Sequence, residues 1–157
     1  WGAIAPYKGV DAFVKFLHDN SQYQHKKVLI VGKIKTEPLE SEIKKYLSPN
    51  VTLINRFVDD NELKDYILSA KAVLFPYNHD SVLASGALVY SINFRRPIIG
   101  PATGAFKDLA EDGLVFNFEK YSDIFEMDTT GFSIDTFDSY VDKINWENYL
   151  SGLYQKL

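Results

Sequence analysis

Cysteine and long hydrophobic runs are absent from the sequence, and neither sign of charge dominates it. The lack of cysteine excludes a disulfide framework and thiolate metal sites and is typical of a reducing compartment, so we expect a cytoplasmic protein. The net charge of −4 without a long basic run argues against a nucleic-acid partner. No apolar run approaches the roughly 18 residues of a membrane span, and no signal peptide is visible.

Apolar side chains, aromatic ones included, are abundant. Hydrophobic residues make up 46% and charged residues 24% of the sequence, values typical of a folded domain rather than of a disordered tail. A length of 157 residues predicts one domain, residues 1–157, with its own core. The chain begins at Trp1 and runs at once into apolar residues, so we expect a piece of a longer polypeptide that begins inside a strand.

Short apolar runs alternate along the chain with segments of helical periodicity. Runs that are apolar on both faces predict parallel strands covered on both sides, and the periodic segments predict helices that bury one face. This alternation predicts an α/β fold, a Rossmann-like doubly wound parallel sheet. The predicted strands are 1–4, 28–31, 51–54, 72–75, 98–99 and 114–116, and the predicted helices are 9–19, 37–47, 59–70, 86–94 and 105–111.

The pattern weakens after residue 118. Residues 119–135 mix acids, aromatics, Thr and Gly without a clear period, so we expect irregular connections there. Helical spacing resumes in 136–157, which predicts closing C-terminal helices that dock on the same domain.

A ligand site is predicted by the strand order. In a doubly wound sheet of order 3-2-1-4-5-6, ligands bind beyond the carboxyl ends of the first and fourth strands, here at loops 5–9 and 77–86. Lys8 is placed there to face a phosphate, although a lone lysine by itself favours a solvated side chain. Ser85, Gly86 and Ala87 open a helix whose free amides favour an anion, or they form an ordinary Ser-capped start.

Other polar residues give weaker signals. His79 and Asp80 lie in the same loop and suit either acid–base work or a solvated pair. Gly32 and Lys33 end the second strand, where a nucleotide can lie against backbone or where a simple turn can form. His18 lacks neighbours at ligand spacing, as does the remaining histidine outside the loop, so we expect no metal. Dinucleotide, P-loop and hydrolase motifs are absent.

An ordered set of short motifs in residues 1–118 resembles the C-terminal half of bacterial group 1 (family 4) glycosyltransferases, and residues 146–149 resemble that family's closing helix. The motifs are 6–11 (PYKGVD), 28–32 (VLIVG), 57–63 (FVDDNEL), 75–77 (FPY), 85–88 (SGAL), 96–101 (RPIIGP), 104–109 (GAFKDL) and 111–113 (EDG).

The resemblance implies a GT-B architecture, in which two Rossmann-like domains enclose the active site. This chain would be the donor-binding domain, with a nucleotide sugar and its own N-terminal acceptor domain as partners, and any peripheral membrane contact would be made through that other domain. The implied reaction is transfer of a hexose-type sugar with retention, without a metal or other cofactor. The chain by itself is expected to be inactive.

The resemblance also implies roles for single residues. Lys8 and Gly9 match the element that contacts the donor phosphate, and Ser85, Gly86 and Ala87 match the helix start that cradles the diphosphate. Gly32, Lys33, Arg56, Phe57 and Val58 match segments near the base.

Two departures from the family pattern concern charged groups. A second cation of the family falls at Ala3, and the glutamate that would hold the ribose falls at Tyr90. The other family glutamate falls at Val82, or at Asp80 if the loop carries two inserted residues, so Asp80 is the candidate catalytic carboxylate. These departures also fit a non-catalytic GT-B-like domain kept for nucleotide binding or assembly. An unrelated flavodoxin-like binding module is the third reading.

Overall fold

Parallel strands and helices alternate along the chain in the structure, a computed structural model that describes residues 1–78 and 85–144. Short 3₁₀ helices span Pro6–Lys8 and Ser21–Tyr23. The strands are β1 (Val28–Val31), β2 (Val51–Ile54), β3 (Val73–Leu74), β4 (Ile98–Pro101) and β5 (Val115–Phe118). The helices are α1 (Val10–Asp19), α2 (Glu37–Lys45), α3 (Asp60–Ser69), α4 (Gly86–Ile92), α5 (Gly104–Glu111), α6 (Asp123–Glu126) and α7 (Ile134–Ile144).

The strands form two parallel sheets. One contains β1 and β2, and in the other β4 lies between β3 and β5. The mixed α/β fold with parallel strands that the sequence predicts is therefore confirmed. Both halves of the predicted strand order are present in these two sheets.

The predicted first strand is reduced to one bridge, between Ile4 and Ile34. Ile4 donates to Lys33 O at 2.9 Å, but Gly2 has φ +89°, which takes the backbone out of the extended region just before the bridge. In the described residues no ladder joins this segment to β3, so the predicted adjacency of the first and fourth strands is made instead by the loops that follow them.

Pro101 ends the pairing of β3 with β4. The Phe75 amide still donates to Ile99 O at 2.9 Å, but the next donor along β4 would be Pro101, which has no N–H. The chain leaves the sheet after Phe75, and Pro76 begins the loop that faces residues 5–9.

The core consists of two clusters. One packs α1 and α2 against the Val28 and Ile30 face of β1, and the other packs α3, α4, α5 and α7 against β3, β4 and β5. Phe13 and Phe106 are fully buried, one in each cluster, and burial of such a side chain contributes roughly 1.5–3 kcal/mol. On the other face of β1, Leu29 is 43% exposed whereas Val31 is buried, so that face is covered only at the carboxyl end of the strand.

Helix boundaries follow the sequence closely where a cap is present. The Asp59 side chain accepts from the Glu62 amide at 2.9 Å, and the Ser85 hydroxyl accepts from the Leu88 amide at 3.3 Å. Residues 119–135 are irregular as predicted, apart from the one-turn helix α6 and the first two residues of α7, which begins at Ile134. The predicted continuation of the closing helices through 145–157 lies outside the described residues. None of the helices described is long and apolar enough to cross a bilayer.

Candidate functional site

The two loops predicted to form the ligand site meet in the structure. The Asn78 amide donates to Tyr7 O at 3.1 Å, and its side-chain Nδ2 donates to Pro6 O at 3.4 Å. The rings of Tyr7 and Tyr77 also contact edge to face, with centroids 5.8 Å apart. The crevice between the loops therefore forms at the carboxyl end of the strands, as the switch-point rule predicts.

Gly9 allows this meeting because it carries no side chain. Its φ of +63° lies in the left-handed region, and a Cβ there would come within 2.1 Å of Pro76 O. Any side chain at position 9 would therefore push the two loops apart. The residue before it, Lys8, is fixed by the 3₁₀ turn in which the Gly9 amide donates to Pro6 O at 3.1 Å.

Lys8 is buried at the meeting point of the loops, with 8% of its surface exposed. Its Nζ lies 3.4 Å from Trp1 O and 5.6 Å from the centroid of the Tyr77 ring. Burial lowers the pKa of Lys8, and the positive charge of Lys35 lowers it further. An ammonium group has three N–H donors. Among the described residues, the Lys8 ammonium has one hydrogen bond, to Trp1 O, and its distance is at the long limit. An anion would compensate this desolvated charge.

Tyr77 connects Lys8 with the start of α4. Its ring lies beneath the Lys8 ammonium, and its hydroxyl lies 3.2 Å from the Ser85 hydroxyl. Sequence reasoning did not identify Tyr77 as a site residue. Its position as the first residue after the strand exit at Pro76 was the available signal.

Gly86 and Ala87 begin α4 next to Ser85. Within the described residues, a Cβ at Gly86 would meet nothing within 4 Å, so packing among them does not require a glycine there. Ala87 is half-buried, and its carbonyl accepts from the Ser91 hydroxyl at 2.8 Å.

Gly32 has a structural reason of its own. With φ at +143°, a Cβ at position 32 would lie 1.8 Å from Gly2 O. Gly32 therefore lets the first segment cross over the end of β1 beside the Ile4 bridge. Lys33 follows it with an exposed side chain.

The segment after β2 is more exposed. The Arg56 guanidinium pairs with the Glu62 carboxylate through two nitrogens, one of them at 2.8 Å, and this pairing lowers the pKa of Glu62. Phe57 is 82% exposed, whereas Val58 is half-buried against the larger core cluster. Arg56 therefore has a partner already, and Phe57 is the residue of this segment that presents a free aromatic face.

The two positions of the family glutamates have different outcomes. Asp80, the candidate catalytic residue, lies outside the described residues. Tyr90 packs edge to face with Trp1 and Phe94, at centroid distances of 5.3 and 5.2 Å. The Trp1 indole N–H donates to the Ser91 hydroxyl at 3.1 Å, so an aromatic contact occupies the face of α4 where the resemblance led us to look for a carboxylate.

Tyr121 is a second residue that sequence reasoning missed. Its hydroxyl lies 3.4 Å from Gly9 O and 3.3 Å from Pro76 O, at the point where the two loops touch. Burial raises its pKa, and so does the charge of Asp11. The residue lies in the irregular segment 119–135, where no periodicity indicates which side chains point inward.

The described residues line clefts at two places. One of about 620 Å³ lies beside the crevice and is lined in part by Tyr77 and Tyr121. Another of about 380 Å³ lies between the end of α5 and α7, where Asp112 and Asp135 outnumber Lys143. That acidic excess disfavours a phosphate. No group of three His, Asp or Glu side chains suited to a metal occurs in residues 1–78 and 85–144.

Comparison with solved structures identifies the fold. The C-terminal domain of a glycosyl transferase group 1 family protein (LpcC) from Francisella tularensis superposes with a TM-score of 0.62 at 16% identity, over 92% of this chain and 83% of that one. AviGT4, a glycosyltransferase involved in avilamycin A biosynthesis, gives a TM-score of 0.67 at 15% identity, over 99% of this chain and 48% of its own length.

A structure from E. coli described as trehalose-6-phosphate bound with UDP-2-fluoro glucose gives a TM-score of 0.64 at 11% identity, over 99% of this chain and 42% of that one. The chain thus spans less than half of these two longer proteins. No protein-family model and no curated protein sequence matches it. Its fold is that of the C-terminal domain of GT-B glycosyltransferases.

Proposed function

We propose that this chain is the donor-binding domain of a glycosyltransferase and that it binds a nucleotide sugar through its diphosphate. The observation that carries the proposal is the buried ammonium of Lys8, which lies where loops 5–9 and 77–78 meet and which, among the described residues, has one long hydrogen bond to a protein oxygen. A buried cation is costly unless an anion accompanies it. The GT-B fold supports a donor as that anion, because one structure with this fold holds UDP-2-fluoro glucose.

The proposed donor lies across the crevice. Lys8 and Gly9 hold the phosphates from one side, and the first amides of α4 at Ser85, Gly86 and Ala87 face them from the other. The base lies toward Gly32, Lys33 and the segment Arg56, Phe57 and Val58, where the exposed Phe57 ring offers a stacking surface. Asp80 is the proposed carboxylate near the donor sugar.

The proposed reaction is transfer of a hexose-type sugar with retention and without a metal. It needs a second, acceptor-binding domain on the opposite side of the crevice, because a GT-B active site is closed by two domains. We propose that the protein acts in the cytoplasm and reaches a membrane, if it does so, only through that other domain.

A second function has one observation in its favour. The Trp1–Tyr90 contact places aromatic rings on the face of α4 where the resemblance leads one to expect the ribose-holding carboxylate. A GT-B-like domain that binds nucleotide without catalysis, for assembly or regulation, would tolerate this replacement. Such a protein would bind nucleoside diphosphate through Lys8 without turning over any sugar.

Titration with UDP and GDP tests the proposed site. We expect Lys8→Ala to weaken binding by about 10- to 100-fold, since a charge-assisted hydrogen bond contributes roughly 1.5–3 kcal/mol. Lys8→Met should weaken binding equally while it preserves the buried aliphatic stem. Calorimetry gives the affinities, and NMR shifts at Lys8 and Ser85 locate the ligand.

Lys71→Ala is the matched control for this titration. Lys71 is an exposed lysine just before β3, at the opposite end of the strand, so its loss removes the same charge without touching the crevice. Equal affinities for wild type, Lys8→Ala and Lys71→Ala would contradict the proposed site. So would a ligand that shifts only residues remote from the crevice.

A further inference from the structure

The residues that join the two loops include one from a distant part of the chain. Tyr121 lies in the connection between β5 and α6, more than a hundred residues after the first loop. Its hydroxyl lies 3.4 Å from Gly9 O and 3.3 Å from Pro76 O. A hydroxyl carries a single proton, so these long distances describe one O–H donor shared between two carbonyls.

The two carbonyls belong to the backbone that directly carries the proposed phosphate site. Gly9 follows Lys8, and Pro76 precedes Tyr77, the residue that links the Lys8 ammonium to Ser85. A displacement of either carbonyl therefore moves a residue of the site itself. Gly9 and Pro76 approach so closely that a Cβ at position 9 would not fit between them. A small change in their separation would therefore move Lys8 or Tyr77.

The Tyr121 side chain is itself fixed on two sides. Its ring contacts Phe13 edge to face at 5.3 Å and lies 5.8 Å from Phe118. The turn that carries it is closed by Asp123, whose carboxylate accepts from the Glu119 and Lys120 amides at 3.1 and 3.0 Å. A hydroxyl held by a packed ring and a closed turn can serve as a fixed point for the loops.

We propose that Tyr121 is a positioning residue, which holds the Lys8–Gly9 turn against the end of β3 at the spacing that diphosphate binding requires. This inference rests on the proposed function. Tyr121 acts through Lys8 and Tyr77 and makes no contact with the ligand. The Asn78-to-Tyr7 hydrogen bond joins the same loops, so loss of the Tyr121 hydroxyl loosens the crevice without opening it.

The variant Tyr121→Phe removes the hydroxyl and keeps the ring packing. We expect it to weaken binding of UDP, of GDP and of inorganic pyrophosphate by the same factor, about 3- to 10-fold, the range that one neutral hydrogen bond supplies. An equal factor for all three is expected because the effect acts on the phosphate site. In the ligand-free full chain, the NMR amide signals of Gly9 and Asn78 should shift.

Tyr23→Phe is the matched control. Tyr23 belongs to the same aromatic cluster, with its ring 4.4 Å from Phe125 and 5.6 Å from Phe16. Loss of its hydroxyl should leave all three affinities and the Gly9 signal unchanged. A merely structural hydroxyl at Tyr121 would lower the melting temperature and leave the affinities of the folded protein as in wild type.

The possible failures are separable. If wild type binds UDP, GDP or pyrophosphate and Lys8→Ala weakens that binding, but Tyr121→Phe binds like wild type, the positioning role is overturned and the proposed function stands. If Tyr121→Phe and Tyr23→Phe weaken binding equally, the effect belongs to the cluster, and the positioning role is again overturned. If wild type binds none of the three probes, the proposed function fails and this inference fails with it.

Discussion

Lys8 shows how a single side chain carries more information in the folded chain than in the sequence. In the sequence it is one lysine among many, and a solvated position is a reasonable expectation for it. In the structure it is 8% exposed, beneath the chain's first residues and over the Tyr77 ring. Charged residues are seldom buried without a partner, so the position of Lys8 supports the proposed anion site better than its residue type does.

The ionisation of Lys8 makes a prediction about pH. Burial and the charge of Lys35 lower the pKa of Lys8, so its ammonium is lost at a lower pH than that of an exposed lysine. Nucleoside diphosphate affinity should therefore fall as the pH rises through this lowered pKa, because the cation disappears while the diphosphate stays anionic. Calorimetric titrations with UDP from about pH 7 to pH 10 measure the decline.

The control for the pH series is Lys8→Met, which has no ammonium to lose. Its weaker affinity should show a flatter pH profile than wild type over the same range. Parallel profiles for wild type and Lys8→Met would assign the decline to another group and contradict the role of Lys8.

At the scale of elements, the crevice depends on how the chain enters and leaves its strands. Pro101 ends the pairing of β3 with β4, and Ser85 caps the start of α4. On the other side, the 3₁₀ turn Pro6–Lys8 leads through Gly9 directly into α1. Each of these turns and caps involves only a few neighbouring residues, but together they bring the backbones of the two loops into contact.

Gly9→Ala tests this contact. We expect it to lower the free energy of unfolding by at least about 2 kcal/mol, because a side chain at a left-handed φ costs about 1–2 kcal/mol and the new Cβ would also meet Pro76 O at 2.1 Å. Urea unfolding followed by circular dichroism measures the change. Gly131→Ala is the control, because a Cβ there would meet none of the described atoms within 4 Å. Its free energy of unfolding should lie within about 0.5 kcal/mol of the wild-type value. Coincident unfolding curves for the two variants would show that the loops do not touch there.

At the scale of the whole molecule, the proposed reaction needs a second domain opposite the crevice. The proposed site lies at the carboxyl edge of the sheets, beside a cleft of about 620 Å³ that Tyr77 lines in part. The two longer proteins of the same fold are each more than twice as long as the part this chain matches. Sugar transfer by a two-domain architecture needs the second domain to exclude water and to hold the acceptor.

This leads us to expect that the chain by itself transfers no sugar, although it binds nucleoside diphosphate. After incubation of the chain with UDP-glucose or GDP-mannose, mass spectrometry should find no loss of the donor and no release of nucleoside diphosphate above the background without protein. Binding of UDP by the same preparation is the control for correct folding. Turnover of either donor by the chain alone would contradict the two-domain proposal.

The elements of the fold were largely predictable because their signals are local. β1 and β2 have the predicted bounds, and the caps at Asp59 and Ser85 begin α3 and α4 where the sequence indicates. Apolar runs and capping side chains act within a few residues, so the order of residues is sufficient to find them. The predicted strand 1–4 is the exception, because the conformation of Gly2 depends on its approach to Gly32.

What the sequence by itself determined was the α/β class, most helix and strand positions, the resemblance to group 1 glycosyltransferases and the place of the crevice. The tertiary structure alone decided which side chains meet in that crevice. The burial of Lys8, the link through Tyr77 and the contact of Tyr121 with Gly9 and Pro76 join residues that lie far apart in the chain. Periodicity and capping report on neighbours a few positions away, whereas a site is made by contacts between loops whose separation in space is fixed only when both core clusters have packed.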